Sequence, residues 1–193
     1  MQFRELYDHV QSFSTPVDLS GIRVKIGQLL PGKRCVVLRS EINVDRLRGY
    51  YVAASNEDNM FLGFPGRAVI VIADDNNLCW SRYVELKELM HLFDDLIRST
   101  NNGDELEELL AGMCENASTG TRTPQVQSEY EAMWKAVALF CPEELRVELQ
   151  RDRDQQLISD MDIAERLKMP EKLVPWLFTP SYKANVQYLL DHC

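Results

Sequence analysis

The run Arg82-Tyr-Val-Glu-Leu-Lys-Glu-Leu-Met-His-Leu-Phe93 constrains this chain more than any other stretch. Placed on a helix at about 100° per residue, Leu86, Leu89, Met90, Phe93 and Ile97 share one stripe, the i, i+3, i+4, i+7 spacing of a core-facing helix. Lys87, Glu88 and His91 fall together on a second arc. The spacing predicts a helix that buries its apolar stripe and presents an amine, a carboxylate and an imidazole on one face. It extends to about Ser99, where Thr100-Asn-Asn-Gly103 breaks it.

The segments before this helix read mainly as strands. Val69 to Ala73 is apolar throughout, as a strand buried on both faces requires. Cys35 to Leu38 and Gly49 to Ala54 read as two more strands, and Met60 to Phe64 as a short fourth. Ile22-Arg-Val-Lys-Ile26 alternates apolar and basic residues, which predicts a half-exposed strand. At the N-terminus, Phe3 to Phe13 reads as an amphipathic helix with Phe3, Leu6, Tyr7 and Val10 on one side, ended by Ser14-Thr-Pro16.

Helices dominate afterwards. Asp104 to Met113 reads as a short acidic helix and Cys114 to Gln127 as a long polar loop. Ser128 to Phe140 follows as a helix with Ala132, Ala136, Val137 and Phe140 on its apolar side, and Pro142 ends it or opens the next. Glu143-Glu144 suit a helix N-terminus. Arg151 to Gln156 is wholly polar, as a linker or an exposed helix end would be. Asp160 to Leu167 and Pro170 to Phe178 form a tight helix pair, and Asn185 to Leu190 a last short helix. Strands first and helices after make the class α+β. The division expected is an N-terminal helix over residues 1–16, a main domain over 17–150 and a helical extension over 151–193.

Composition narrows the function classes. With 45% hydrophobic and 26% charged residues, the 193-residue chain has the material for a packed core. No apolar run approaches the ~18 residues of a membrane span, and the mixed-charge N-terminus does not read as a signal peptide. The expectation is a soluble cytoplasmic protein without a membrane partner. The five cysteines, Cys35, Cys79, Cys114, Cys141 and Cys193, are scattered and never in Cys-x-x-Cys spacing, which argues for reduced thiols and against a cysteine zinc site. The three histidines are His9, His91 and His192, too few for a conventional multi-histidine metal centre. The net charge of −9 is uneven: residues 1–72 hold nine Lys/Arg against seven Asp/Glu, and residues 73–193 hold twelve against twenty-three. Nucleic-acid binders carry basic patches, so an acidic second half points to a basic protein partner.

The arc Lys87-Glu88-Leu89-Met90-His91 is one residue from a known chemistry. In His-Glu-x-x-His two histidines at i and i+4 bind zinc and the glutamate acts as base. Here lysine stands in the first position, and an isolated Glu-x-x-His step is ordinarily a solvated helix face.

The surroundings of the arc add a resemblance. The apolar run Ala68-Val-Ile-Val-Ile-Ala-Asp74, a polar turn, Arg82-Tyr83 and then the helix is similar to the order of elements in the ImmA/IrrE family of zinc-peptidase-like proteins. Glu129-Tyr-Glu-Ala-Met-Trp-Lys-Ala-Val-Ala-Leu-Phe-Cys-Pro142 resembles that family's Glu-x-Glu-Ala-Asn helix, and Asp162 to Val174 resembles its closing helical pair. The resemblance implies a zincin-like fold, a small twisted sheet packed on the motif helix with an all-helical C-terminal part. It makes Glu131 the third zinc ligand.

The expected site is therefore Lys87, Glu88, His91 and Glu131, a degenerate set with no catalytic residue and no cofactor. A lysine ammonium repels a divalent cation, so it is expected to take the metal's place and pair with Glu131 or Glu88. The corresponding function is a catalytically inactive peptidase-like regulator that holds a protein partner, such as a helix-turn-helix repressor, in a mobile-element or stress setting. Two alternatives stand beside it. One is a metallopeptidase with zinc on Glu88, His91 and Glu131 that cleaves a transcriptional repressor. The other is a DNA-binding regulator that reads through the Asp160–Phe178 pair, although that pair offers only Glu171, Lys172 and Trp176 to bases.

Overall fold

The computed structural model describes residues 2–55, 63–94 and 124–193. The class is α+β, as the order of patterns predicts. Helix α1 (Gln2–Val10) buries Phe3, Leu6, Tyr7 and Val10, the four residues its periodicity puts on one side.

The next element corrects the sequence reading. Residues Leu19–Leu29 form helix α2, where alternation predicts a strand. Two local causes decide it. The Asp18 carboxylate accepts from the backbone N–H groups of Ser20 (2.9 Å) and Gly21 (3.0 Å), which caps the first turn. Leu19, Ile22 and Ile26 then recur at helical spacing and are buried, while Val24 is 63% exposed. A strand pairing would have placed Val24 on the same face as Ile22 and Ile26.

Three strands form one sheet in the order β1-β3-β2, with β1 at Cys35–Ser40, β2 at Gly49–Val52 and β3 at Ala68–Ala73. β1 runs parallel to β3 in the register Cys35↔Ala68 to Ser40↔Ala73, and β2 runs antiparallel from Gly49↔Ile72 to Val52↔Val69. All six residues of the central strand β3 are buried, which accounts for its unbroken apolar composition. Gly63 and Phe64, the tail of the fourth strand expected from sequence, lie in a turn region, and Met60 to Leu62 fall outside the described residues.

Helix α3 (Leu78–Met90) packs across this sheet. Asn77 caps it by accepting from the Trp80 N–H at 3.0 Å. The approach is tight at Gly49, where a Cβ would lie 2.5 Å from both the Val71 carbonyl oxygen and Val84 Cγ1. Leu86, Leu89 and Met90 are fully buried, as the stripe requires, and each contributes about 1.5–3 kcal/mol. The α-helix ends at Met90 and tightens to a 3-10 turn over His91–Phe93, short of the expected Ser99. Lys33 Nζ donates to the carbonyls of Leu92 (2.6 Å) and Asp94 (3.1 Å), so a cation from the α2–β1 connection caps this end. Ile97, the acidic helix expected over Asp104–Met113 and residues Cys114 to Thr123 of the expected loop lie outside the described residues.

Helix α4 (Pro124–Phe140) lies against α3 and is followed by α5 (Glu143–Asp154), with Pro142 at the junction. α4 begins within the stretch expected to be loop, and the polar run from Arg151 to Asp154 is the end of α5. Helix α6 (Asp160–Leu167) starts at a reciprocal Ser159–Asp162 capping box and turns at Lys168, whose φ of 53° supplies the left-handed turn usually left to glycine. A 3-10 helix over Glu171–Phe178, with Pro175 inside it, and helix α7 (Tyr182–His192) complete the chain. One buried cluster spans Phe3 to Leu189 and crosses both the 16/17 and the 150/151 boundaries. Arg82 reinforces it by donating to the carbonyls of Val17 (2.6 Å) and Lys168 (3.2 Å). Among the described residues, no helix is long and apolar enough to cross a membrane.

Candidate functional site

The faces of α3 and α4 that meet carry the chemistry. α3 is buried on most sides, so its polar residues need partners inside the protein. Lys87 Nζ lies 2.8 Å from Glu88 Oε1 and 2.6 Å from Glu129 Oε2. Glu129 also reaches His91, with Oε1 3.1 Å from Nε2, and Glu88 Oε2 is 3.7 Å from the same nitrogen. The ring nitrogen makes no well-directed hydrogen bond, so its attraction to these carboxylates is electrostatic.

The other side of the imidazole is tightly held. His91 Nδ1 is 2.7 Å from Asp94 Oδ2, and the Ser128 hydroxyl donates to that same carboxylate oxygen while lying 3.2 Å from Nδ1. The Tyr51 ring from β2 covers the imidazole at 5.5 Å between centroids. Sheet, motif helix and α4 thus converge on His91.

The electrostatics follow from burial set against neighbouring charge. Burial alone draws the Lys87 ammonium down, but Glu88 and then Glu129 outweigh it and hold its pKa above the ordinary lysine value. Burial likewise disfavours a charged His91, yet Glu129 and the bond to Asp94 raise it from 6.5 to about 10. Glu129 is pushed up by burial and pulled further down by Lys87 and His91, ending well below the usual carboxylate range. Glu88 is shifted the other way: burial first, and the Glu129 charge with it, exceed what Lys87 restores. At neutral pH Lys87 and His91 are therefore cations and Glu129 is an anion between them.

This geometry realises part of the expected site and corrects another. Lys87, Glu88 and His91 are together, and Lys87 pairs with Glu88 as expected. Its second partner is Glu129; Glu131 is elsewhere. Two residues along a helix are separated by about 200°, so only one of these glutamates can face α3. Glu131 instead accepts from Gln127 Nε2 at 2.9 Å, lies 3.7 Å from Cys193 Sγ, and borders a cleft between α4 and α7. The pattern already held the cue. Glu129 precedes Ala132, Ala136, Val137 and Phe140 by three, seven, eight and eleven residues, so it belongs to the stripe that the apolar side defines. Asp94 and Ser128 were not expected either. Asp94 follows His91 at i+3 through a 3-10 turn that periodicity does not reveal.

Lys87 engages two carboxylates with its ammonium, and a protonated imidazole has no lone pair to give. Glu88, His91 and Glu131 are not assembled as a ligand set. Among the described residues, no group of three or more His, Cys, Asp or Glu is arranged to hold a metal ion. The cluster is no serine triad either, because Ser128 and Asp94 both sit at Nδ1, whereas a nucleophile needs the nitrogen opposite the carboxylate.

In the C-terminal pair, Leu173, Val174 and Leu177 are buried and Trp176 packs its ring 5.3 Å from Trp134. Glu171 and Lys172 stay exposed on the 3-10 helix. Cys35, Cys79, Cys141 and Cys193 are thiols outside any disulfide, and Cys114 lies outside the described residues. No family model, curated protein or solved structure matches the chain.

Proposed function

We propose that this chain is a peptidase-like regulatory protein of zincin-like fold, related to the ImmA/IrrE proteins it resembles, that binds a protein partner without cleaving it. The observation that carries the reading is Lys87: its ammonium sits between Glu88 and Glu129, one helical turn from His91. In a zinc site of this pattern the first histidine, the second histidine and an acid from a later helix surround one cation. Here a fixed lysine supplies that positive charge, and the acids of the cluster are neutralised from within the chain. The motif helix, the strand before it and the acid-bearing helix after it provide the frame. A helix-turn-helix regulator is the partner class that the resemblance suggests, in a cytoplasmic and mobile-element setting.

Elemental analysis of the native protein beside a Lys87→His variant tests this. The native protein is expected to be metal-free. The variant brings a second imidazole within reach of His91 and Glu129 and is expected to take up about one zinc per chain. One metal per native chain would overturn the inactive reading in favour of a metallopeptidase. Mixing the native protein with a helix-turn-helix regulator tests the partner: an intact complex supports the proposal, and cleaved fragments refute it.

A further inference from the structure

Strand β1 is an edge. In the order β1-β3-β2 it has β3 on one side and, among the described residues, no strand on the other. Successive residues of a strand turn their backbone groups to opposite sides. The carbonyls of Arg34 and Ser40 accept from the N–H groups of Ala68 (2.8 Å) and Asp74 (3.0 Å), so the even-numbered residues face β3. Cys35, Val37 and Arg39 therefore turn their N–H and C=O groups outward, where no described residue bonds them.

A bare edge is a template for a further strand, and proteins ordinarily guard one with a proline, a bulge or a charge within the strand. Cys35–Leu38 has none of these. Its register to β3 is unbroken, its run is Cys-Val-Val-Leu, and all four residues are half-buried where those of β3 are wholly buried. The charges stand at the two ends. Arg34 and Arg39 are exposed, and neither has an ion pair among the described residues. Alternation puts Arg34 on the face of Val36 and Leu38, and Arg39 on the face of Cys35 and Val37.

This pattern selects the occupant. A second copy of β1 paired here would bring the arginines of both strands together at each end, and like charges across strands are destabilising. A segment with an acid at each end and β-branched residues between them instead meets both arginines and the apolar middle. We propose that the outer edge of β1 adds an extended, acid-flanked segment of a protein partner as a further antiparallel strand. The outward backbone groups supply the hydrogen bonds, and Arg34 and Arg39 set the register. The edge lies across β3 from Tyr51 of β2, which covers His91, and its pairing does not rest on the reading of the Lys87 cluster.

The test is an NMR titration of ¹⁵N-labelled protein with the peptide acetyl-Glu-Val-Thr-Val-Thr-Glu-amide. The amide resonances of Cys35, Val37 and Arg39 are expected to move saturably and their hydrogen exchange to slow, while Val36 and Leu38, paired with β3, are protected with or without peptide. Lysine in place of both peptide acids is expected to weaken binding about fivefold or more, as is Arg34→Glu with Arg39→Glu in the protein. Both arginines are exposed, so the double variant keeps the fold, which circular dichroism verifies, and it should bind the lysine peptide better than the native chain does. Of two peptides N-methylated at alternate residues, only the one methylated on the groups facing β1 should lose binding. No saturable shift, indifference to charge, or equal binding of the two N-methylated peptides would overturn the proposal. Dimerisation through the same amides without peptide would overturn it in favour of a second copy.

Discussion

Replacing Lys87 by Met keeps most of the side-chain volume and removes the ammonium that joins Glu88 to Glu129. The side chains concerned are 16%, 3% and 19% exposed, so the pair behaves as buried. Breaking a buried pair by deleting one partner costs about 3–5 kcal/mol, against about 0–1 for an exposed pair. With a urea dependence of about 2 kcal/mol per M, the unfolding midpoint is expected to fall by roughly 1.5–2.5 M at neutral pH. The loss should shrink as pH falls below neutrality. Without the ammonium Glu88 takes up a proton more readily, and a protonated Glu88 no longer repels Glu129. Adding Glu129→Gln should restore part of the stability, with a coupling energy of about 0.5–3 kcal/mol. Urea unfolding followed by circular dichroism reads all of this. A single-variant loss below about 1 kcal/mol, with additive behaviour in the double variant, would refute the claim that Lys87 neutralises the cluster.

Three further outcomes are expected. Because His91 titrates at about 10 in the folded chain and at 6.5 unfolded, its contribution is fully present below about pH 6.5 and is lost as pH rises through 10. The urea-derived stability should fall by up to about 1.4 kcal/mol per pH unit within that window, and a slope unchanged in His91→Gln would show that the imidazole is not its source. Gly49→Ala places a methyl 2.5 Å from a backbone carbonyl and from Val84, and should cost about 1–3 kcal/mol in thermal or urea unfolding; a neutral result would mean the sheet and α3 do not pack this closely. Val24→Glu replaces an exposed β-branched residue on α2 and should change stability by no more than about 0.5 kcal/mol, whereas a strand with Val24 facing the core would be disrupted.

The cluster also bears on how a buried group of acids leaves a stable protein. Two buried carboxylates beside each other are costly without a cation. Lys87 answers that cost with a permanent charge held in the chain, and Asp94 with Ser128 holds the His91 imidazole in place.

Much of this architecture is local and can be read from the residues in order. The unbroken apolar run of β3, the buried stripe of α3, the inward side of α1 and the break at Pro142 each follow from periodicity or from a backbone constraint within a few residues. Where two periods coincide, local reading fails: Ile22, Val24 and Ile26 satisfy a strand, and only the Asp18 cap and the packing of Leu19 made the segment a helix. The motif arc of Lys87, Glu88 and His91 was also determined by spacing alone. Its partners were not. Glu129 reaches Lys87 from 42 residues away, Lys33 caps the end of α3 from 59 residues away, and Tyr51 covers His91 from another strand. The rotation of α4 turns Glu129 toward α3 and Glu131 toward α7. A charge can be placed on a helix face from its own segment, but the group that neutralises it is chosen by how the helices dock, and only the tertiary structure decides that.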